Sequence, residues 1–198
     1  MLTPNNITSR RWPPRIAGGI TRIAPIAVLA MMFTVAAGTT AVGDSDVETR
    51  VKAAFILNFV FFVEWPARSG SGPVRIGVRG HGDLASSLEE VVKGKTANGR
   101  AIEIAHIAGA TEMDCCQILV IERSESKHVA EIVQDLAGKP VLTVCDGETC
   151  LRDGAMIVFQ IIEESVRFQI NRQAAEHAGL KISSQLLKLA ISAGGKLP

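Results

Sequence analysis

CQILVIERSESKHVAEIVQDLAGKPVLTVC, Cys116–Cys145, contains two short apolar runs, Ile118–Ile121 and Val141–Val144. Neither run is long enough for a helix of ordinary length, and neither alternates polar with apolar, so both read as strands covered on two faces. Between them Ser124 to Leu136 reads as a helix with Ser124 as its N-cap, and Pro140 opens the second strand. Strand, helix and strand in this order form the unit of a parallel sheet, because parallel neighbours need a crossover of about a dozen residues or more.

The same alternation extends in both directions. Upstream, Val74–Val78 reads as a strand, Gly80–Asp83 as a turn, Leu84–Lys93 as a helix and residues 100–107 as another strand. Downstream the pattern changes: Ala155–Ile162 and Val166–Ile170, linked by Glu163, Glu164 and Ser165, read as a hairpin. Asn171 then caps a short helix that Gly179 ends, and Ser183 caps a last one carrying Leu186, Leu187 and Leu189. The fold class expected is a single three-layer α/β domain with a mixed, mostly parallel sheet, ending in a β-hairpin and short C-terminal helices.

Val47–Trp65 reads as a helix, with acids before it at Asp44 and Asp46 and Pro66 after it. Val51, Phe55, Phe59, Phe62 and Trp65 share one face, while Ile56, Val60 and Val63 make much of the opposite face apolar. Core packing is the expectation for the phenylalanine stripe. The remaining apolar surface points to a homodimer, with Phe61 and Trp65 as contact residues.

The 198-residue chain is 47% hydrophobic and 21% charged, a globular composition. Its formal charge of +1 conceals an asymmetry, since residues 1–43 hold Arg10, Arg11, Arg15 and Arg22 and no acid. Setting those four aside leaves 17 basic against 20 acidic residues, a net of −3. Such a domain lacks the basic patch of a nucleic-acid binder. The arginines precede an apolar stretch, Ile23–Ala37, and small residues follow up to Ala41. That order is an export signal, too short for a membrane span, so residues 1–43 read as a cleavable signal peptide and 44–198 as the mature domain.

Export places Cys115, Cys116, Cys145 and Cys150 where disulfides persist. Cys116 opens one strand and Cys145 closes its neighbour, so in a parallel sheet they lie at opposite ends, beyond bridging distance. Cys145 and Cys150 flank the turn-rich Asp146–Thr149 and are expected to pair, leaving Cys115 and Cys116 as thiols, one buried and one near the surface. Zinc is not expected, for no C-x-x-C or histidine pair has ligand spacing.

Gly77-x-x-Gly80-x-Gly82 lies between a strand and a helix, where a phosphate cradle would sit, but its order is not G-x-G-x-x-G and a tight turn is the simpler reading. His81, His106, His128 and His177 stand singly, and neither a G-x-S-x-G elbow nor an HExxH signature occurs. No catalytic set, metal site or cofactor is expected, and a binding or regulatory module fits better than an enzyme.

Two stretches carry a resemblance. VKAAFILNFVFFVEWP, Val51–Pro66, is similar to the opening helix of the YfiR family of exported bacterial proteins, and VRFQINRQAAEHAGLKISSQLLKLA, Val166–Ala190, is similar to its closing segment. Asp114–Leu119 and Gly138–Val144 match the pattern between them. The resemblance implies a periplasmic protein that restrains a membrane-bound diguanylate cyclase by binding its periplasmic sensor domain, with an outer-membrane lipoprotein able to sequester it. The output would be lower cyclic di-GMP and less biofilm. Some family members carry a first-strand cysteine that pairs with the one near Cys116; Val74–Val78 has none, so a second internal disulfide is not expected. Partner contact is expected at the hairpin and the helix after it, where Glu163, Arg167, Arg172 and Lys181 alternate charge beside Ile161, Ile162 and Ile170. The competing reading is a small-molecule-binding accessory protein of a receptor or transport system, with its site in the loops around Gly80 and Asp146.

Overall fold

A computed structural model describes residues 44–66 and 72–191. The signal peptide expected at 1–43 lies outside the described residues. The chain divides into two units, Met1–Thr40 and Ala41–Pro198, and all that follows concerns the second.

The sheet is built around the strand–helix–strand unit. Its seven strands are β2 (Val74–Arg79), β3 (Thr96–Ala97), β4 (Arg100–His106), β5 (Ile118–Ile121), β6 (Leu142–Asp146), β7 (Ile157–Ile162) and β8 (Ser165–Ile170), in the spatial order β3-β4-β2-β5-β6-β7-β8. β4, β2, β5, β6 and β7 run parallel, and the antiparallel pairs β3–β4 and β7–β8 make the sheet mixed, as expected. β5 is buried at all four positions and β6 at its first four, as the unbroken apolar runs require.

Helices cover both faces. On one, α1 (Asp44–Phe62), α2 (Leu84–Val92), α5 (Arg172–His177) and α6 (Ser184–Leu189) close a core that includes Ile56, Phe59, Ile76, Leu88, Phe159 and Phe168. Phe55 and Phe59 meet Phe159 and Phe168 with ring centroids 5.3–6.3 Å apart. On the other, α3 (Ala110–Met113) and α4 (Val129–Asp135) cover Leu119, Ile121, Cys145 and Val158. No helix among the described residues is long and apolar enough to cross a membrane.

Two expectations need correction. The first helix does not run to Trp65: Val63–Glu64 leave it as a two-residue strand, β1, paired antiparallel with β9 (Lys181–Ile182). Ser183 N–H donates to Phe62 O at 2.9 Å, so the helix's last carbonyl is taken by the returning chain. Ser124 is not a helix cap, because Arg123–His128 forms a 3₁₀ segment and α4 starts only at Val129. Its hydroxyl accepts from His81 N–H at 3.2 Å instead. Asn171 and Ser183 do cap, accepting from the amides of Ala174 and Leu186. Within α1 the inward face includes Ala53, Ile56, Phe59 and Val60, with Val63 of β1 buried beyond its end; the phenylalanine stripe contributes Phe59 fully and Phe55 and Phe62 in part, while Val51 stays exposed.

Candidate functional site

The chain goes from β2 to β4 on one side and then to β5 on the other, so the carboxyl ends of β2 and β5 flank the point where the strand order reverses. Open α/β sheets take ligands there. The glycine loop Gly80–Asp83 lies at this point and is already occupied by the protein itself: Glu122, at the end of β5, accepts from Gly82 N–H at 2.6 Å and Leu84 N–H at 3.3 Å. A buried carboxylate thus fills the N-terminal turn of α2 where an anionic ligand would bind. The glycines are needed for this approach, since a Cβ at Gly80 would fall 2.6 Å from Glu122 Cβ and one at Gly82 would fall 2.5 Å from its Oε1.

Alongside lies a polar crevice of about 310 Å³. Lys52, 4% exposed on α1, donates to Glu48 and, at 2.7 Å, to Asp146 Oδ2. Arg123 reaches the other Asp146 oxygen at 3.6 Å. The groups around Gly80 and Asp146 are therefore committed to internal partners and join α1 to the sheet's carboxyl edge. Sequence reasoning singled out neither residue: Lys52 shares α1 with Arg50, and nothing in the sequence marked Glu122 as the occupant of the glycine turn.

Cys145 and Cys150 form a disulfide, with Cα atoms 6.2 Å apart, as the turn between them implies. The bridge fits an oxidising compartment. Cys115 is an exposed thiol and Cys116 a buried one. Burial, and then the neighbouring Cys115, pushes the Cys116 thiol up to about 12. The Arg75 guanidinium lies 3.5 Å from Cys115 Sγ, and this hydrogen bond is the main cause of its raised pKa. Nearby, Glu125 is pushed up by burial, but hydrogen bonds from His128 and Arg79 outweigh this and hold it below the ordinary glutamate value.

The hairpin β7–β8 turns through two residues, Glu163 and Glu164, with φ of 48° and 58°. Both lie in the left-handed region that a two-residue hairpin favours for asparagine and glycine and that costs other side chains about 1 kcal/mol or more. The second hairpin, β3–β4, uses Asn98 and Gly99 at the same place, with φ of 52° and 76°. Beside the acidic tip, Ile161 and Ile162 are 45% and 37% exposed on opposite faces of β7. A groove of about 640 Å³ opens there, between Val47, Val51 and Phe55 of α1 and Ile161, Val166 and Arg167 of the hairpin.

The four expected contact residues do not form one patch. Arg167 lines the hairpin groove and Glu163 stands at the tip next to it, whereas Arg172 and Lys181 line a separate cleft of about 240 Å³. Arg172 is paired with Glu176 at 2.6 Å, and Lys181 sits opposite Glu64 in the β1–β9 pair. Of the two dimer candidates, Phe61 is 51% exposed, while Trp65 is half-buried and donates from Nε1 to Gln117 O at 3.1 Å. Both line a cleft of about 350 Å³ that Asn98 and Arg100 complete.

Comparison with solved structures finds a conserved domain protein from Vibrio cholerae O1 biovar El Tor strain N16961, with a TM-score of 0.49 and 13% identity over 73% of this chain. This chain spans 59% of that neighbour's length. No curated protein matches the sequence. The model of the YfiR/HmsC-like family matches residues 49–191, from the second turn of α1 through α6, so the chain belongs to this family of regulatory rather than catalytic proteins.

Proposed function

We propose that the mature chain is a periplasmic regulator that represses an inner-membrane diguanylate cyclase by binding its periplasmic sensor domain, lowering cyclic di-GMP and biofilm formation. The observation that carries this reading is the hairpin tip, where two glutamates hold a strained turn beside two exposed isoleucines and an apolar groove. Folding alone does not favour that combination, and docking onto a partner does. Family membership supports the signalling context. The alternative, small-molecule capture around Gly80 and Asp146, is disfavoured because those loops bind Glu122 and Lys52 of the same chain.

Glu163 and Arg167 are assigned to the primary contact, and Arg172 and Lys181 to a second one, such as the lipoprotein that would sequester the repressor. Phe61, on the free side of α1, and Trp65, just beyond β1, are assigned to a homodimer contact. Gene deletion should raise cyclic di-GMP and surface attachment, and an exported copy should restore the low level where a copy lacking residues 1–43 does not. A Glu163→Lys, Arg167→Glu double variant should accumulate as folded protein yet fail to restore it. Unchanged cyclic di-GMP on deletion, or full rescue by the double variant, overturns the respective part of the reading.

A further inference from the structure

Two adjacent cysteines between α3 and β5 are left outside the disulfide. Cys115 Sγ and Cys116 Sγ approach the same acceptor, Glu112 O, at 2.9 and 3.7 Å. Cys115 is open to solvent, whereas Cys116 is 3% exposed and faces β2 at Gly77. Gly77 leaves this thiol its space: a Cβ there would fall 2.8 Å from Cys116 Sγ. Arg75 adds a cation, with Nη1 3.5 Å from Cys115 Sγ.

We propose that the Cys115–Cys116 dithiol, backed by Arg75, is a two-coordinate site for the soft monovalent cation Cu(I). Two sulfurs suffice for this d¹⁰ ion, which thiolates select, whereas zinc calls for four ligands. Among the described residues no group of three or more His, Cys, Asp or Glu could hold a metal ion, so a four-ligand site has no basis here. Binding converts two thiols and Cu⁺ into a bis-thiolate complex of charge −1 and releases two protons to water, with no change in oxidation state. The guanidinium beside Cys115 opposes that negative charge. Cys115 provides the entry point, and Cys116 holds the ion away from solvent. This site is independent of the hairpin and of the proposed repression.

The test uses the mature chain with its disulfide intact, titrated in ascorbate against the coloured Cu(I) complex of bathocuproine disulfonate. Wild type should withdraw one equivalent of Cu(I), and Cys115→Ser or Cys116→Ser should withdraw none. Arg75→Gln should bind about tenfold more weakly, and Arg75→Lys should bind close to wild type. Near-UV circular dichroism checks that each variant is folded. Should a serine variant fail to fold, protection of the exposed wild-type Cys115 thiol from iodoacetamide by one equivalent of Cu(I), read by mass spectrometry, serves in its place. Failure of wild type to compete, retained competition by a folded serine variant, or absence of protection overturns the proposal.

Discussion

Lys52 Nζ lies 2.7 Å from Asp146 Oδ2, so a buried cation in the middle of α1 is tied to the residue that follows a disulfide cysteine. Helix, sheet edge and bridge are joined at this point. The pair is a buried one on the lysine side, and removing its partner leaves a charge with less compensation than water would give.

Asp146→Ala should therefore destabilise the domain by about 3 kcal/mol. Glu48→Ala should cost less than about 1 kcal/mol, because Glu48 is exposed enough for water to replace it. Urea denaturation of the disulfide-bonded protein measures both. Equal losses would mean that Glu48 and Asp146 share the neutralisation of Lys52, against the dominance of Asp146 expected here.

Replacing Cys145 and Cys150 together by alanine should lower stability by about 2 kcal/mol, since so short a loop gives up little chain entropy when closed. Far-UV circular dichroism should be unchanged, because β6 keeps its pairing with β5 and β7. Proteolysis within Asp146–Thr149 should become faster, and unchanged cleavage would show that packing alone holds the loop.

Gly77 tests the geometry around Cys116. Gly77→Ala should cost about 1–3 kcal/mol, because its Cβ would press on Cys116 Sγ at 2.8 Å and Ile107 Cγ1 at 2.7 Å. Gly77→Cys should instead form a disulfide with Cys116 under oxidising conditions, turning the close approach to sulfur into a bond and recovering part of that loss. Counting alkylated thiols by mass spectrometry distinguishes the outcomes: one free thiol, Cys115, is expected, and three would show that Cys116 does not face β2.

Glu125 has a depressed native pKa, so its contribution is complete at neutral pH and is lost as pH falls through the ordinary glutamate value and then its lower native one. Glu125→Gln should be less stable than wild type at pH 7, by under about 1 kcal/mol for so accessible a cluster. The difference should vanish in acid. A difference that persists below about pH 3 would mean that the side chain's packing, not its charge, carries the effect.

Much of this architecture was legible before any coordinates. The runs Ile118–Ile121 and Val141–Val144 announce central parallel strands because neither alternates, and Thr143, the one polar residue in them, is buried and accepts from Met156 N–H. The bridge was readable too, for Cys145 and Cys150 flank a turn. What escaped depends on contacts between distant segments. Val63–Glu64 carry a helical pattern in sequence, and only pairing with Lys181–Ile182 draws them into a strand. Ser124 looks like a cap, yet it serves the glycine loop 43 residues upstream. The occupied glycine turn was hidden for the same reason, since Glu122 and Gly82 become neighbours only through the β2–β5 register.

The two hairpins set two turn chemistries side by side in one fold. Asn98-Gly99 is the pair that backbone preference alone would choose for such a turn, while Glu163-Glu164 holds the same handedness against that preference. Asparagine and glycine at the second turn would remove that backbone cost, and the protein would gain stability by the change. A Glu163→Asn, Glu164→Gly variant is thus the sequence that folding would write at this position. Whatever activity it loses while melting higher measures the demand imposed from outside the fold.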